Sequence, residues 1–590
     1  KEDNKEDNKE DNNDGTTTTT TTSATTKTNA EQHYLETLST NNTIPAPMVA
    51  TRQSLPCYAR REEIISTIRA HSVVVISGAT GCGKTTQIPQ FVLEDAVLHK
   101  QGGACNIICT QPRRISAVGV ANRVAEERNE KIGNVIGYQI RLEKRLSKHT
   151  RLKFCTTGIL LRMLTGNPTL SGVTHVILDE VHVRGKQKTV FDCGCGLIFL
   201  CLLFLFLFPP QEREILSDFL LILLKNLLHT TRPDLKIVLM SATVNAELFS
   251  NYFHQAPCLQ IPGRTFSVER KSLEQVMAWL DNKNGKTTTK TLSTPPDATV
   301  DERIPYDTIV RLVDRICASS SSSSSSSASA SAEDGAILIF MPGLYEITKL
   351  CGMLKHHTSG TSGQQQRRLI LPLHGSLTSR QQTQVFQRAP PGQRKIVVST
   401  NVAETSVTIE DVVYVIDTGR VKEIQYNRAS NCPALVETWT SVASSKQRMG
   451  RAGRVRPGIC YQTYPTYVYD EVMLAFQIPE IKRTPLEQIV LQIYIMNLTS
   501  STPEVFLTQA LECPDVQHIH SAMANLRAMG ALNQGNSANV GGTNSPDTRN
   551  TLTPLGYHLA NLPVGAKLGK LLLYGCLFRC IETNRPLPRR

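Results

Sequence analysis

No apolar run in this sequence is long enough to cross a bilayer. The longest, Leu197–Phe208, has 12 residues, against the roughly 20 that a spanning helix needs. No secretory signal is visible at the N-terminus, and a membrane role is not expected. Metal-type cysteine spacing is also missing. Of the 16 Cys, Cys105 and Cys109 flank Asn106–Ile108, and Cys193 and Cys195 stand one residue apart, but neither pair has a matching second pair. The cysteines therefore read as buried reduced thiols. That implies a reducing compartment, cytoplasmic or nuclear, and argues against a disulfide scaffold.

What is present is a long, basic chain. Its 590 residues exceed one core and fit roughly three to five domains. The formal charge is +13; the first fourteen residues carry three Lys against seven acidic groups, so the remainder carries +17. A basic body suits a polyanion such as nucleic acid. Residues 1–12 repeat Lys-Glu-Asp-Asn and a Thr run follows. Such a stretch cannot bury a core, and 1–50 is expected to be a disordered tail. The Ser-rich segment 319–332 and the Gly/Ser/Gln stretch 359–366 read as flexible insertions. The chain begins at Lys1, not Met, and stops after an apolar helical stretch. A piece of a longer gene product is expected.

Between these segments, short β-branched runs alternate with amphipathic stretches. Val73–Ser77, Val176–Leu178, Ile237–Met240, Ala336–Met341, Lys395–Ser399 and Val412–Asp417 are examples. Runs this short and apolar predict buried parallel strands. Their alternation with helices predicts a doubly wound α/β architecture. The strands fall into two groups, 51–256 and 257–463, and beyond 464 the pattern turns helical.

Three motifs carry chemistry. Gly78-Ala79-Thr80-Gly81-Cys82-Gly83-Lys84-Thr85, with Thr86 beside it, follows the predicted strand Val73–Ser77 and precedes the predicted helix Gln87–Glu94. Glycines let backbone N–H groups wrap phosphates, and the helix N-terminus adds a favourable dipole. Lys84 would reach the β- and γ-phosphates of a nucleotide and Thr85 would ligate Mg²⁺. Val176–Leu178 then runs into Asp179 and Glu180. Alone, such a pair is more often a solvated turn. Beside the first motif, it reads as a metal-holding Asp179 and a water-activating Glu180, the latter also near the metal. In Gln447-Arg-Met-Gly-Arg451-Ala-Gly-Arg454, arginines three apart are expected on one helix face, placed as arginine fingers for a γ-phosphate. The competing reading is a basic surface helix, against which its two glycines argue.

The ordered set resembles the DEAH-box, RNA-helicase-A-like group of superfamily 2 RNA helicases. Gly78–Thr85 resembles motif I, Thr110–Arg114 motif Ia, Thr156–Gly158 motif Ib, and Asp179–His182 motif II, here DEVH. Ser241–Thr243 resembles motif III, Phe340–Gly343 motif IV, Ser399–Ser406 motif V and Gln447–Arg454 motif VI. The resemblance covers about 55–590. It implies two tandem RecA-like doubly wound domains with ATP, or another NTP, and Mg²⁺ in the cleft. It further implies a winged helix over 464–560 and the start of a helical ratchet domain over 561–590. By the same resemblance Gln447 positions water, Arg451 and Arg454 sense the γ-phosphate, and His182, Ser241 and Thr243 couple hydrolysis to movement. Arg113, Arg114, Thr157, Thr400 and Asn401 would hold the RNA backbone. Arg123 and Phe386 sit where the family sandwiches the base, and Thr418–Glu437 resembles its strand-separating β-hairpin. The implied activity is ATP-driven translocation on RNA, open to a protein activator. An RNA-binding scaffold with a silent ATPase and a DNA helicase are the competing readings.

One segment departs from the family pattern. Removing 183–211 restores DEVHEREILSDFLLILLK without a seam. The 29 residues correspond to 87 nucleotides; the first is Val, whose codons begin GT, and the last is Gln, which CAG encodes. Leu202–Pro210, rich in pyrimidine codons, precedes that end. These are the marks of an intron read through in frame; the alternative is a genuine loop. Transcript reads across the junction are expected to lack the 87 nucleotides, and reads that all retain them would refute the intron. A chain without 183–211 is expected to hydrolyse ATP much faster than the chain as written, measured on the purified pair.

Overall fold

In a computed structural model, the structure describes residues 29, 31–33, 35–36, 44–78, 81–181, 215–241, 246–263, 266–281, 304–319, 335–358, 367–377, 381–382, 384–390, 393–404, 409, 411–427, 432–454, 456–496, 502–533, 551–562 and 564–578. Ala79, Thr80, His182, Thr243, the segment 183–211, most of the Ser-rich insertion and the stretch 359–366 lie outside the described residues.

The first half builds a sheet from β1 (Val73–Gly78), β2 (Ile107–Gln111), β3 (Ile136–Ile140), β4 (Glu143–Arg145), β5 (Leu152–Thr156), β6 (His175–Leu178), β7 (Lys236–Ser241) and β8 (Cys258–Ile261). Their spatial order is β4-β3-β5-β2-β6-β7-β1-β8. Every pairing is parallel except β3 with the edge strand β4. The alternation of a strand's side chains explains the run of apolar residues in β1. Val73 and Val75 enter one core and Val74 and Ile76 the other, on opposite faces of the sheet.

The second half repeats the design. β9 (Val268–Lys271), β10 (Ala336–Phe340), β11 (Arg367–Leu373), β12 (Gln393–Ser399), β13 (Val412–Asp417) and β16 (Gly458–Gln462) form an all-parallel sheet ordered β11-β12-β10-β13-β16-β9. Between β13 and β16 an antiparallel hairpin, β14 (Arg420–Asn427) with β15 (Cys432–Trp439), stands as its own ribbon. Its base is fastened by the Arg420 guanidinium, 3.5 Å from the centre of the Trp439 ring, and its middle by Arg483 Nη1, which donates to Ile424 O at 3.0 Å. Two doubly wound sheets are thus present, as the alternating runs predict, but the division expected at 256/257 falls too early: Cys258–Ile261 pairs with β1 and belongs to the first sheet.

Past 464 the described residues are mostly helical: Glu487–Ile495, Val516–Ala528, Pro554–Asn561 and Ala566–Leu577 are the longer helices. Thr553 caps the third, accepting from Gly556 N at 3.0 Å. These helices share one continuous core with the first sheet. The link is the helix Ile215–Thr230, whose Phe219 packs on Phe506 with ring centres 5.5 Å apart. Tyr252 OH adds a 2.8 Å hydrogen bond to Gln509 O.

The expectation that all of 1–50 lacks a core needs correcting. Leu35 is buried in the first domain's core. Gln32 Nε2 donates to Val97 O at 3.0 Å, and Glu31 pairs with Arg151 at 3.1 Å. Residues 46–53 form a helix whose Arg52 is buried. Composition averaged over the tail hides these few apolar and charged anchors. Replacing Phe506→Ala removes the aromatic wedge between helix Ile215–Thr230 and the C-terminal helices. The expected cost is about 3–5 kcal/mol, read as a lowered midpoint in urea unfolding.

Candidate active site

The phosphate loop is built where β1 stops. Gly83 has φ +95° and Gly81 φ +85°, a left-handed backbone that favours glycine. A Cβ on Gly83 would also stand 3.1 Å from Leu55 Cδ1. The helix Lys84–Leu98 begins at once. Lys84 is buried, and its ammonium turns back over the loop to donate to Gly78 O. Cys82 is wholly buried beneath the loop.

Asp179 follows the end of β6, between neighbours β2 and β7. It is buried and accepts from Gln111 Nε2 at 2.8 Å and from Thr85. Burial, then the adjacent Glu180 carboxylate, pushes its pKa up to about 6, while Thr85, Gln111 and Lys84 pull the other way. Glu180 takes φ +55°, a strained conformation for a side-chain-bearing residue that costs of order 1–3 kcal/mol. Asp179 Oδ1 steadies it by accepting Glu180 N at 2.9 Å. Burial raises the Glu180 pKa as well, and the charges of Lys84, Arg454 and Arg113 oppose that rise. Arg454 shows the same coupling from the other side. Burial lowers its pKa to about 10 against the attraction of Glu180, so it stays cationic at neutral pH.

The arginines are not arranged as predicted. The helix Val442–Met449 ends at Gly450, and Arg451 and Arg454 lie in the turns beyond it instead of on its face. Gly453 constrains the turn. Gly453 passes so close to Phe266 O that a Cβ would sit 2.6 Å away, and it accepts from Phe266 N at 2.9 Å. Gln447 is half-buried in the helix, and Arg451 is buried in the turn.

Arg448, to which no role was given, is buried and ion-paired at 2.7 Å to Asp417 and 3.1 Å to Glu404. Burial alone would lower its pKa, but the two carboxylates outweigh it and raise it. Asp417 also accepts from Ser445 Oγ at 3.1 Å, Tyr464 OH at 3.2 Å and Gly419 N at 2.9 Å. This network ties motif V, motif VI and the root of the hairpin together. Gln111 was likewise without a role. The signal that finds it is register: Thr110 lies opposite Leu178, which brings the next residue on β2 beside Asp179.

Of the predicted RNA-holding residues, Arg113 bridges the two halves, donating to Asn401 O at 3.2 Å and Val402 O at 2.6 Å. Ile115 packs against the second domain's core beside it. Arg114 Nη2 donates to Arg141 O at 3.0 Å, and Thr157 and Thr400 are buried. Ser241 is buried at the end of β7, opposite Ser77 of β1. Arg123 and Phe386 are both open to solvent, 43% and 44% exposed, and Arg123 Nε donates to Glu127 at 2.9 Å. Val181 and Ser217, the described residues near either side of 182–214, line one small pocket with Asp179 and Glu180. Among the described residues no His/Cys/Asp/Glu cluster suits a structural metal, and no helix is long and apolar enough to cross a membrane.

Replacing Arg448→Met removes the cation between two buried carboxylates. Breaking a buried ion network this way costs about 3–5 kcal/mol, so the variant is expected to unfold at markedly lower denaturant, measured by circular dichroism.

Comparison with known proteins agrees with this layout. Residues 58–250 match the DEAD/DEAH box helicase family, 325–456 the helicase conserved C-terminal domain, and 522–564 the winged-helix helicase associated domain HA2. The DExH-box ATP-dependent RNA helicase DExH1 of Arabidopsis thaliana is 39% identical, covering 93% of this chain and 53% of its own. DExH3 of the same plant is 41% identical, covering 91% and 43%. The ATP-dependent DNA/RNA helicase DHX36 of Mus musculus is 39% identical, covering 94% and 54%. The chain thus spans about half the length of these relatives.

Proposed function

The chain belongs to the DEAD/DEAH box helicases, and from that membership we propose that it couples NTP hydrolysis to movement along RNA and to unwinding or remodelling it. The observation that carries the reading is the charge shared across the cleft. Glu180 of the first domain is coupled electrostatically to Lys84 and Arg113 on its own side and to Arg454 of the second. A γ-phosphate among these groups would be held by both domains at once, and its loss would weaken the link between them.

The donor set fits Mg²⁺. Thr85 offers a hydroxyl and Asp179 a buried carboxylate already hydrogen-bonded to it, and hard oxygen donors suit this ion. Bound there, Mg²⁺ would neutralise phosphate charge. Lys84 and the N–H groups from Gly78 to Thr86, with Ala79 and Thr80 among them, would cradle the phosphates. Glu180, whose burial-raised pKa the surrounding cations oppose, would take a proton from the attacking water that Gln447 orients. Arg451 and Arg454 would stabilise charge gathering on the transferred group. Arg123 and Phe386 would take the base between them. His182, Ser241 and Thr243 would report phosphate loss to the RNA side.

Arg113, Arg114, Thr157, Thr400 and Asn401 would hold RNA by its backbone, which gives affinity with little sequence preference. Arg113 already joins the two halves through Asn401 and Val402, so RNA seated there would feel the cleft open and close. The site of action would be intracellular, cytoplasmic or nuclear, with a protein activator as a further partner. Because the DHX36 relative carries "DNA/RNA" in its name, single-stranded DNA is a second substrate to compare.

The test is phosphate release with and without single-stranded RNA. RNA is expected to stimulate it more than DNA of the same length. Glu180→Gln is expected to lower kcat by about 10²–10⁴-fold while ATP still binds. RNA binding without any stimulated hydrolysis would instead favour the scaffold reading.

A further inference from the structure

Glu127 ends the helix Arg114–Glu127 and is 2% exposed. A buried carboxylate must have partners, and this one has three. Oε2 accepts from Gln87 Nε2 at 2.8 Å and from Gln90 Nε2 at 2.8 Å, and Oε1 accepts from Arg123 Nε at 2.9 Å. The two glutamines are wholly buried in the first turns of the phosphate-loop helix. Both also reach Thr86, Gln87 Nε2 to its hydroxyl at 3.0 Å and Gln90 Nε2 to its carbonyl at 2.9 Å. Glu127 therefore connects the phosphate end of the site to Arg123, one side of the family-like base sandwich.

The orientation of Gln87 is set from further back. Arg52, buried in the helix Ala46–Gln53, donates Nε to Gln87 Oε1 at 2.9 Å. A guanidinium can only donate, so the Gln87 carbonyl must face Arg52 and its amide nitrogen must face Glu127. Arg52 is itself anchored by Glu94 at 2.8 Å. The outer end is different: Arg123 is 43% exposed and held at one edge, through Nε, so its planar face stays open.

We propose that Glu127 is a positioning residue for nucleotide binding: through its bond to Arg123 Nε it fixes the guanidinium plane against which the nucleobase stacks, at a distance from the phosphate loop set by Gln87, Gln90 and Arg52. The proposal rests on the reading of Arg123 as a base contact. Its chemistry separates the two ends of the nucleotide. A preset guanidinium loses little freedom when a base stacks on it, and stacking favours any purine face. Glu127 should therefore matter to a ligand that has a base and not to one that lacks it.

The experiment measures the KM for ATP and the inhibition constant of inorganic tripolyphosphate, which has no base, on the whole chain and its variants. Glu127→Gln is expected to raise the KM for ATP about tenfold, the scale of one charge-assisted hydrogen bond. kcat should hold within about twofold and the tripolyphosphate constant should stay unchanged. Arg123→Ala should raise KM similarly, and adding Glu127→Gln to it should do nothing more. If Glu127→Gln fails to fold, Glu127→Asp carries the test, because it keeps a buried carboxylate while shortening its reach to Arg123. Parallel weakening of ATP and tripolyphosphate would overturn the proposal in favour of a role in holding the phosphate loop. An effect of Arg123→Ala without one of Glu127→Gln would overturn it while leaving the base contact standing. No effect of Arg123→Ala would overturn the base contact itself.

Discussion

Two carboxylates at the end of one strand cannot both stay ionised in a buried place unless cations are brought to them. Asp179 and Glu180 impose that condition, and most of the chain's chemistry can be read as meeting it. Lys84 arrives on the loop after β1, Arg113 after β2, and Arg454 from the other domain. None of these is near the others in sequence. The sheet makes the meeting possible, because its parallel strands end on one edge and their loops converge there. A motif order spread over hundreds of residues thus becomes one pocket of opposed charge.

The second domain solves a related problem in its own interior. Arg448 lies between Asp417 and Glu404 with almost no solvent. Such a network contributes little net stability compared with apolar packing, but it is costly to break. Its geometric effect is plain: it fixes the helix Val442–Met449 against the end of β13, and so fixes where the next turn delivers Arg451 and Arg454. The arginine beside the cleft is placed by the arginine that never reaches it.

Much of this was legible in the sequence. Short β-branched runs announced both sheets, since a strand covered on both faces has no reason to alternate polar residues. The glycines of the loop after β1 and the Asp179–Glu180 pair were legible because close backbone approach and buried charge allow few residue types. Arg448 was not, because a buried arginine and a surface arginine look alike until the carboxylates opposite are known. Gln111 was hidden for the same reason: its partner is on another strand, and strand order is a property of the whole sheet. The turn carrying Arg451 and Arg454 was misread as helix because spacing alone does not reveal that Gly453 must slip past Phe266. The docked part of the N-terminal tail was missed because averages over a repetitive stretch conceal a single well-placed Leu35.

The helix Ile215–Thr230 has one further consequence. Its apolar side chains are shared between the first sheet and the helices past 480, so the boundaries visible along the sequence are not lines along which the molecule comes apart. A fragment ending at 261 would keep every residue of its sheet yet lay bare the surface around Phe219 that the C-terminal helices cover. For this chain the smallest piece with a closed interior is larger than its nucleotide-binding half, and dissection into soluble parts has to follow the core instead of the motifs.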